Sequence, residues 1–224
     1  IPEGAKNVLR RIREPRFRNA SYNILDFGAV NDSTIDSRDA INRAIDKCSE
    51  QGGGRVIVPE GTYLCKGPIN LRSGVNLNIS ECSTLRFSED PKDYLPAVLT
   101  VWEGTEMFNY SPFIRAYHCE NIAITGKGTI DGRASGSFAK MRPQRSKMQD
   151  QLRQMGIDGV PVHERNFGDK SIMPPNMIEP FGCRNILIED ITILDSPYWV
   201  IHPTFCDNAT VRGVTIESFN KNND

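Results

Sequence analysis

The 224 residues carry 27 Lys and Arg against 28 Asp and Glu, a formal net charge of −1, with 38% hydrophobic and 25% charged residues. That balance excludes a dedicated nucleic-acid binder, which needs clustered positive charge for counterion release, and no apolar run approaches the ~18 residues of a membrane span. Six cysteines without C-x-x-C spacing make neither a dense disulfide scaffold nor a zinc motif.

Residues 1–20 combine Lys6, Arg10, Arg11, Arg13, Arg16 and Arg18 with Pro2 and Pro15 and show little apolar periodicity. They predict a basic arm lying on the surface. No basic segment followed by an apolar one opens the chain, so a signal peptide is expected to be absent or already removed. Ser21 to Ala29 reads as a short strand ending at Gly28, and Asn31-Asp32-Ser33 as a turn and cap. From Asp36 to Glu50, Ala40, Ile41, Ala44, Ile45 and Cys48 recur on one helical face, and Gly52-Gly53-Gly54 ends the helix.

After Arg55 the helical period vanishes. Val56-Ile57-Val58, Tyr63-Leu64-Cys65, Ile69 to Leu71, Val75 to Ile79 and Thr84 to Phe87 are short strands separated by Gly, Ser, Pro or Asn. No helices alternate with them, which disfavours a Rossmann-like or α/β-barrel fold. Hairpin signals are nearly absent, with Asp131-Gly132 the main exception. Asp90 to Asn109 is an excursion, and Arg133 to Pro175 a long insertion. Lys140, Arg142, Arg145, Lys147 and Arg153 crowd its first part, with a helix expected from about Arg145 to Met155. Insertions of this size commonly wall a site.

The C-terminal stretch repeats itself. Cys183-x-Asn185-Ile186-x-Ile188 leads to Thr192-Ile193, and Cys206-x-Asn208-Ala209-x-Val211 to Thr215-Ile216, at an offset of 23 residues. A looser copy begins at Cys119-x-Asn121-Ile122. A period in the low twenties marks a solenoid. Short strands with neither helical crossovers nor tight hairpins predict an all-β, right-handed parallel β-helix with an N-terminal capping α-helix, since an open solenoid end needs a cap. Cys183 and Cys206 then fall on adjacent rungs ~4.8 Å apart, close enough for a bridge, with a stack of reduced, buried thiols the favoured reading.

Gly126-Lys127-Gly128 opens no helix, and Gly52-Gly53-Gly54 precedes no Lys-Ser or Lys-Thr, so neither is a nucleotide loop. His118, His163 and His202 lack metal-ligand spacing; no metal or cofactor is expected.

Three further pieces occur in a telling order: Gly126-x-Gly128-Thr129-Ile130-Asp131-Gly132, then Ser196-Pro197-Tyr198-Trp199-Val200-Ile201-His202-Pro203, then Asn222-Asn223-Asp224. With Leu25-Asp26-Phe27-Gly28-Ala29 and the capping helix they resemble glycoside hydrolase family 28, the polygalacturonases, across 21–132 and 176–224. The resemblance implies a pectin-lyase-like β-helix over 21–224, interrupted at 133–175, and inverting hydrolysis of α-linked galacturonic acid in pectin. Asn222-Asn223-Asp224 matches the family's Asn-x-Asp-Gly up to its third residue. It implies Asp224 as a catalytic carboxylate activating water, Asn222 as a holder of local geometry, and Trp199 and His202 as the floor of the substrate cleft. The same likeness places Trp199 or Val200 beneath Asp224 and His202 further along one strand.

The family's later paired aspartates and Gly-His-Gly are absent from these residues, and Arg-x-Lys does not occur in the later position the family gives it. The expectation is therefore the N-terminal portion of such an enzyme, interrupted inside the Asn-x-Asp-Gly motif and inactive alone, because one carboxylate cannot serve as both acid and base. A non-catalytic β-helix for polysaccharide binding or structure is the alternative. A calcium-dependent pectate-type lyase ranks third, since no acidic cluster has calcium-ligand character. The expected partner is an acidic polysaccharide, met as a monomer in a secreted or periplasmic setting; Asn19, Asn31, Asn78, Asn109 and Asn208 open Asn-x-Ser/Thr sites that matter only in a glycosylating pathway.

Overall fold

A computed structural model describes residues 2–219 of the chain. Apart from one antiparallel hairpin, its strands form three parallel sheets, each visited once per turn. One full turn runs through Ile69–Leu71 in the third sheet, Val75–Ile79 in the first and Ser83–Phe87 in the second. The next repeats this order in Ile114–Tyr117, Glu120–Gly126 and Thr129–Asp131, and the next in Ile178–Phe181, Arg184–Glu189 and Thr192–Leu194. A last described turn has bridges at Ile201 and Thr204, then Asp207–Arg212 and Thr215–Glu217. This is a right-handed parallel β-helix.

The register explains the alternation in the sequence. Val56, Leu77, Ile124, Ile188 and Val211 pair successively across the first sheet. The first four are buried, whereas Val211 on the last described turn is 46% exposed. Each fully buried aliphatic side chain contributes roughly 1.5–3 kcal/mol, so stacking like on like builds the core additively along the axis. The Cys-x-Asn repeat marks the corner between third and first sheets. Asn121, Asn185 and Asn208 all adopt positive φ, near 54°, 56° and 58°, a region Asn tolerates better than most residues. Their amides form a ladder: Asn185 Nδ2 donates to Asn121 Oδ1 at 3.0 Å, and Asn208 Nδ2 to Asn185 Oδ1 at 2.8 Å. Cys119, Cys183 and Cys206 are free thiols at that corner. Gly126 is required by contact, because a Cβ there would lie 2.0 Å from the Ile79 carbonyl oxygen.

Helix α1, Glu3–Leu9, lies in the basic arm and buries nothing. Beyond it the arm lies on the first sheet, where Asn208 Nδ2 donates to the Arg13 carbonyl at 2.6 Å. Ser21–Asn23 is a strand, but Ile24–Phe27 is a 3-10 turn, and Asp32–Asp36 is a strand where a turn was expected. The Asn23 side chain accepts from Leu25 N at 3.0 Å, a local bond that favours a turn over extension.

Helix α2, Arg38–Glu50, buries Ala40, Ile41, Ala44, Ile45 and Cys48 against the first turn, as expected. Asn42 completes the cap. It donates to Pro68 O at 3.0 Å and accepts from Asn70 N at 2.8 Å, replacing the neighbouring strand that the edge of the third sheet lacks.

The excursion contains a hairpin, Val98–Trp102 with Thr105–Asn109. Its turn residues Glu103 and Gly104 have φ of 42° and 86°, the primed-turn geometry usually signalled by Asn-Gly. Asp131-Gly132 makes no hairpin; it ends a parallel strand. Helix α3, Ser146–Ile157, lies in the insertion close to its expected place.

Candidate functional site

The irregular segments all leave at one corner, between the second and third sheets. Residues 88–113, 132–177 and 195–200 occupy that corner on three successive turns. They therefore gather against the outer face of the third sheet.

Outward residues on that sheet form a column. Asn70 pairs with Arg115 and Arg115 with Glu179. The Ile178–Ile201 bridge sets His202 beside Glu179 on the next turn. Glu179 alternates with inward Ile178 and Pro180 and so reads in sequence as a solvent-facing residue, yet it is 1% exposed. The hairpin covers it. Thr100 Oγ1 lies 2.8 Å from each Glu179 carboxylate oxygen, and the Asn176 amide nitrogen donates to Oε2. Burial lowers the Arg115 pKa from its usual value, and Glu179 beside it works in the opposite direction.

His202 lies over this cluster. Its Nδ1 is 3.1 Å from Asn176 Nδ2, 3.1 Å from Thr204 Oγ1 and 3.5 Å from Glu179 Oε2. The imidazole stacks on the Trp199 indole, with centroids 5.8 Å apart and planes 22° from parallel. Trp199 and His202 are thus brought together, though not on one regular strand. Trp199 sits in the bend that precedes the bridge at Ile201 and is tied to the sheet by Met177 N donating to its carbonyl at 2.9 Å. Its indole nitrogen is buried without a hydrogen-bond partner. Asn222 and Asp224, and with them the expected stacking of Asp224 above this corner, lie outside the described residues.

A second aromatic group extends the site. Trp102 from the hairpin stacks on Tyr198 with centroids 4.1 Å apart and planes 6° from parallel. The Arg145 guanidinium lies 4.9 Å from the Tyr198 centroid and 5.8 Å from that of Trp102. Both distances are short for a closely stacked pair, so the cation sits beside the stack rather than on its outer face. Tyr198 donates to Glu103 Oε1 at 2.8 Å, Gln149 of α3 also donates to Glu103, and Arg153 reaches Glu103 at 3.8 Å and Asp150 at 3.0 Å. The basic run of the insertion is therefore not a single patch. Arg145 and Arg153 hold α3 against the hairpin, while Lys140 and Lys147 face solvent.

Chemically, the corner offers an aromatic face and hydrogen-bonding nitrogens in a partly dry setting. Glu179 is enclosed by its donors and is not presented as an acid. Sequence reasoning missed Glu179, Asn176, Thr100 and Arg115 because their roles depend on which loop covers which strand. Among the described residues no group of three or more His, Cys, Asp or Glu could hold a metal ion, and no helix is long and apolar enough to cross a membrane.

The family described as "Rhamnogalacturonase A/epimerase, pectate lyase-like" matches residues 21–78. The crystal structure of a hyperthermoactive exopolygalacturonase from Thermotoga maritima superposes with a TM-score of 0.93 at 39% identity, covering 98% of this chain and 51% of that one. A probable polygalacturonase of Vitis vinifera is 25% identical over 207 residues, 89% of this chain and 37% of its own length. Plasmin and fibronectin-binding protein A of Streptococcus pneumoniae is 41% identical over 113 residues, 45% of this chain and 16% of its own. The chain thus spans about half or less of the length of these three relatives.

Proposed function

We propose that this polygalacturonase-like chain forms the floor of a cleft for galacturonic-acid polymers on the outer face of its third sheet. The observation that carries the reading is the Trp199–His202 pair held over buried Glu179, where three successive excursions converge. Likeness to an exopolygalacturonase along 98% of the chain supports the substrate class. A pyranose presents a C–H face to an aromatic ring and oxygens to hydrogen-bond donors, and this corner supplies both.

Asp224 is assigned to activation of the attacking water and Asn222 to holding its geometry, on the strength of their motif. The reaction proposed is hydrolysis with inversion. It takes two carboxyl groups ~6.5–9.5 Å apart, one protonating the leaving oxygen and the other activating water. The Asn222-Asn223-Asp224 motif supplies one, so these 224 residues are proposed to bind the polymer without cutting it. The setting proposed is outside the cytoplasm, where pectin is met.

A non-catalytic binding module is a second reading, favoured by the 41% identity to plasmin and fibronectin-binding protein A over 113 residues. Incubation of the purified chain with polygalacturonate separates the possibilities. Affinity for oligogalacturonates with no release of reducing ends is expected. Release of reducing ends would overturn the division of roles, and affinity for a protein ligand with none for oligogalacturonates would favour the second reading.

A further inference from the structure

We propose that Glu179 and Asn176 select the His202 tautomer protonated on Nε2, so that the ring offers the cleft a hydrogen-bond donor. The tautomer follows from the polarity of a buried chain of hydrogen bonds. Its use for a sugar rests on the reading of this face as a galacturonan cleft.

The chain of bonds starts at Glu179, whose carboxylate, when ionised, accepts and has no hydrogen to give. Oε2 meets the Asn176 side-chain amide. The amide must therefore turn its NH2 toward Oε2, because the reversed orientation would set oxygen against oxygen. This removes the ambiguity that normally attends an Asn side chain. The cost is visible: Asn176 Oδ1 is buried with no hydrogen-bond partner. The amide is oriented by its nitrogen end, at the expense of its oxygen.

That NH2 carries two hydrogens. One serves Glu179, and the same nitrogen lies 3.1 Å from His202 Nδ1. A hydrogen on Nδ1 would oppose it, so Nδ1 holds the lone pair and the proton of the neutral ring sits on Nε2. The other groups around the ring are compatible. Thr204 Oγ1, 3.1 Å from Nδ1, can give its one hydrogen to Nδ1 or to the His202 carbonyl oxygen at 3.4 Å and so accommodates either tautomer, and the Trp199 indole contributes a face rather than an acceptor. Glu179 Oε2 would favour a hydrogen on Nδ1, but at 3.5 Å it is the longest of the three contacts, and Thr100 and Asn176 already donate to its carboxylate. Arg115, one turn away, neighbours Glu179 on the opposite side from His202.

Nε2 has no protein partner among the described residues, and the His202 side chain keeps 19% exposure. It gives the cleft floor one hydrogen-bond donor beside the Trp199 ring, whose own indole nitrogen is buried. That donor suits a hydroxyl or carboxylate oxygen of a uronic acid. Glu179 and Asn176 act through His202 and are positioning residues.

Long-range proton–nitrogen NMR of the ligand-free chain labelled with nitrogen-15 histidine reads the tautomer directly, with His202 assigned by its loss in His202→Gln. A neutral ring with the proton on Nε2 is expected; a proton on Nδ1 would overturn the proposal. Asn176→Asp puts an acceptor where the NH2 stood, and should move the proton to Nδ1 or charge the ring. An unchanged His202 pattern in that variant would contradict the relay. If Asn176→Asp does not fold, Glu179→Gln serves: it can donate to Asn176 Oδ1 and let the amide turn, so the single tautomer should be lost, and its retention counts against the proposal. None of these readouts involves a sugar, so a failure of galacturonan binding leaves them standing.

Discussion

Removing the Glu179 side chain would strand several partners at once. Thr100 and Asn176 would lose their acceptor in a dry pocket, and Arg115 would lose the neighbouring carboxylate that offsets its burial. Unmatched buried polar groups cost roughly 1–3 kcal/mol each, so Glu179→Ala is expected to destabilise the chain by about 3 kcal/mol in a denaturant titration. A change under about 0.5 kcal/mol, typical of a surface position, would mean that the pocket is wet. At this scale the sequence is half legible. Trp199 and His202 stand out because Ser-Pro-Tyr-Trp precedes Ile-His-Pro in a recognisable order. Glu179 does not, since outward alternation on a strand reports which face a residue is on and not what covers that face. Asn176 has no local signature; its role depends on Glu179 and His202, three and 26 residues away.

The elements were legible where one physical cause dominates. Helix α2 follows from a five-residue apolar stripe, and its burial makes it a cap. Its edge-sealing contact is testable on its own. Asn42→Ala leaves Pro68 O and Asn70 N without the amide that pairs with both, and should cost about 2 kcal/mol. Hydrogen exchange should rise first at the amides of 69–71; exchange unchanged there would mean that water or the neighbouring helix backbone does the sealing. The hairpin at Val98–Trp102 and Thr105–Asn109 escaped sequence reading because Glu-Gly is a weak turn signal and the preceding residues read as an irregular excursion. The 3-10 turn at Ile24–Phe27 escaped for the same kind of reason: a single Asn23 side-chain bond outweighs a β-branched and aromatic composition.

Across the whole molecule, repetition supplies regularity and one corner supplies difference. The 23-residue offset, the asparagine ladder and the paired aliphatic columns make each turn a template for the next. Since every long excursion departs between the second and third sheets, chemistry accumulates on one face while the rest stays scaffold. The solenoid was readable from its period, but convergence of the excursions was not, because sequence distance between 100, 145 and 199 conceals their stacking one turn apart. The most direct test of the account is a calorimetric titration of the chain with a galacturonic-acid oligomer, set beside Trp199→Ala and a neutral oligosaccharide of equal length. Binding of the acidic oligomer, weakened about tenfold or more by the substitution (~1.4 kcal/mol), and little binding of the neutral one are expected. Equal binding of the acidic oligomer by both proteins, or no binding by either, would contradict the assignment of this corner as the cleft.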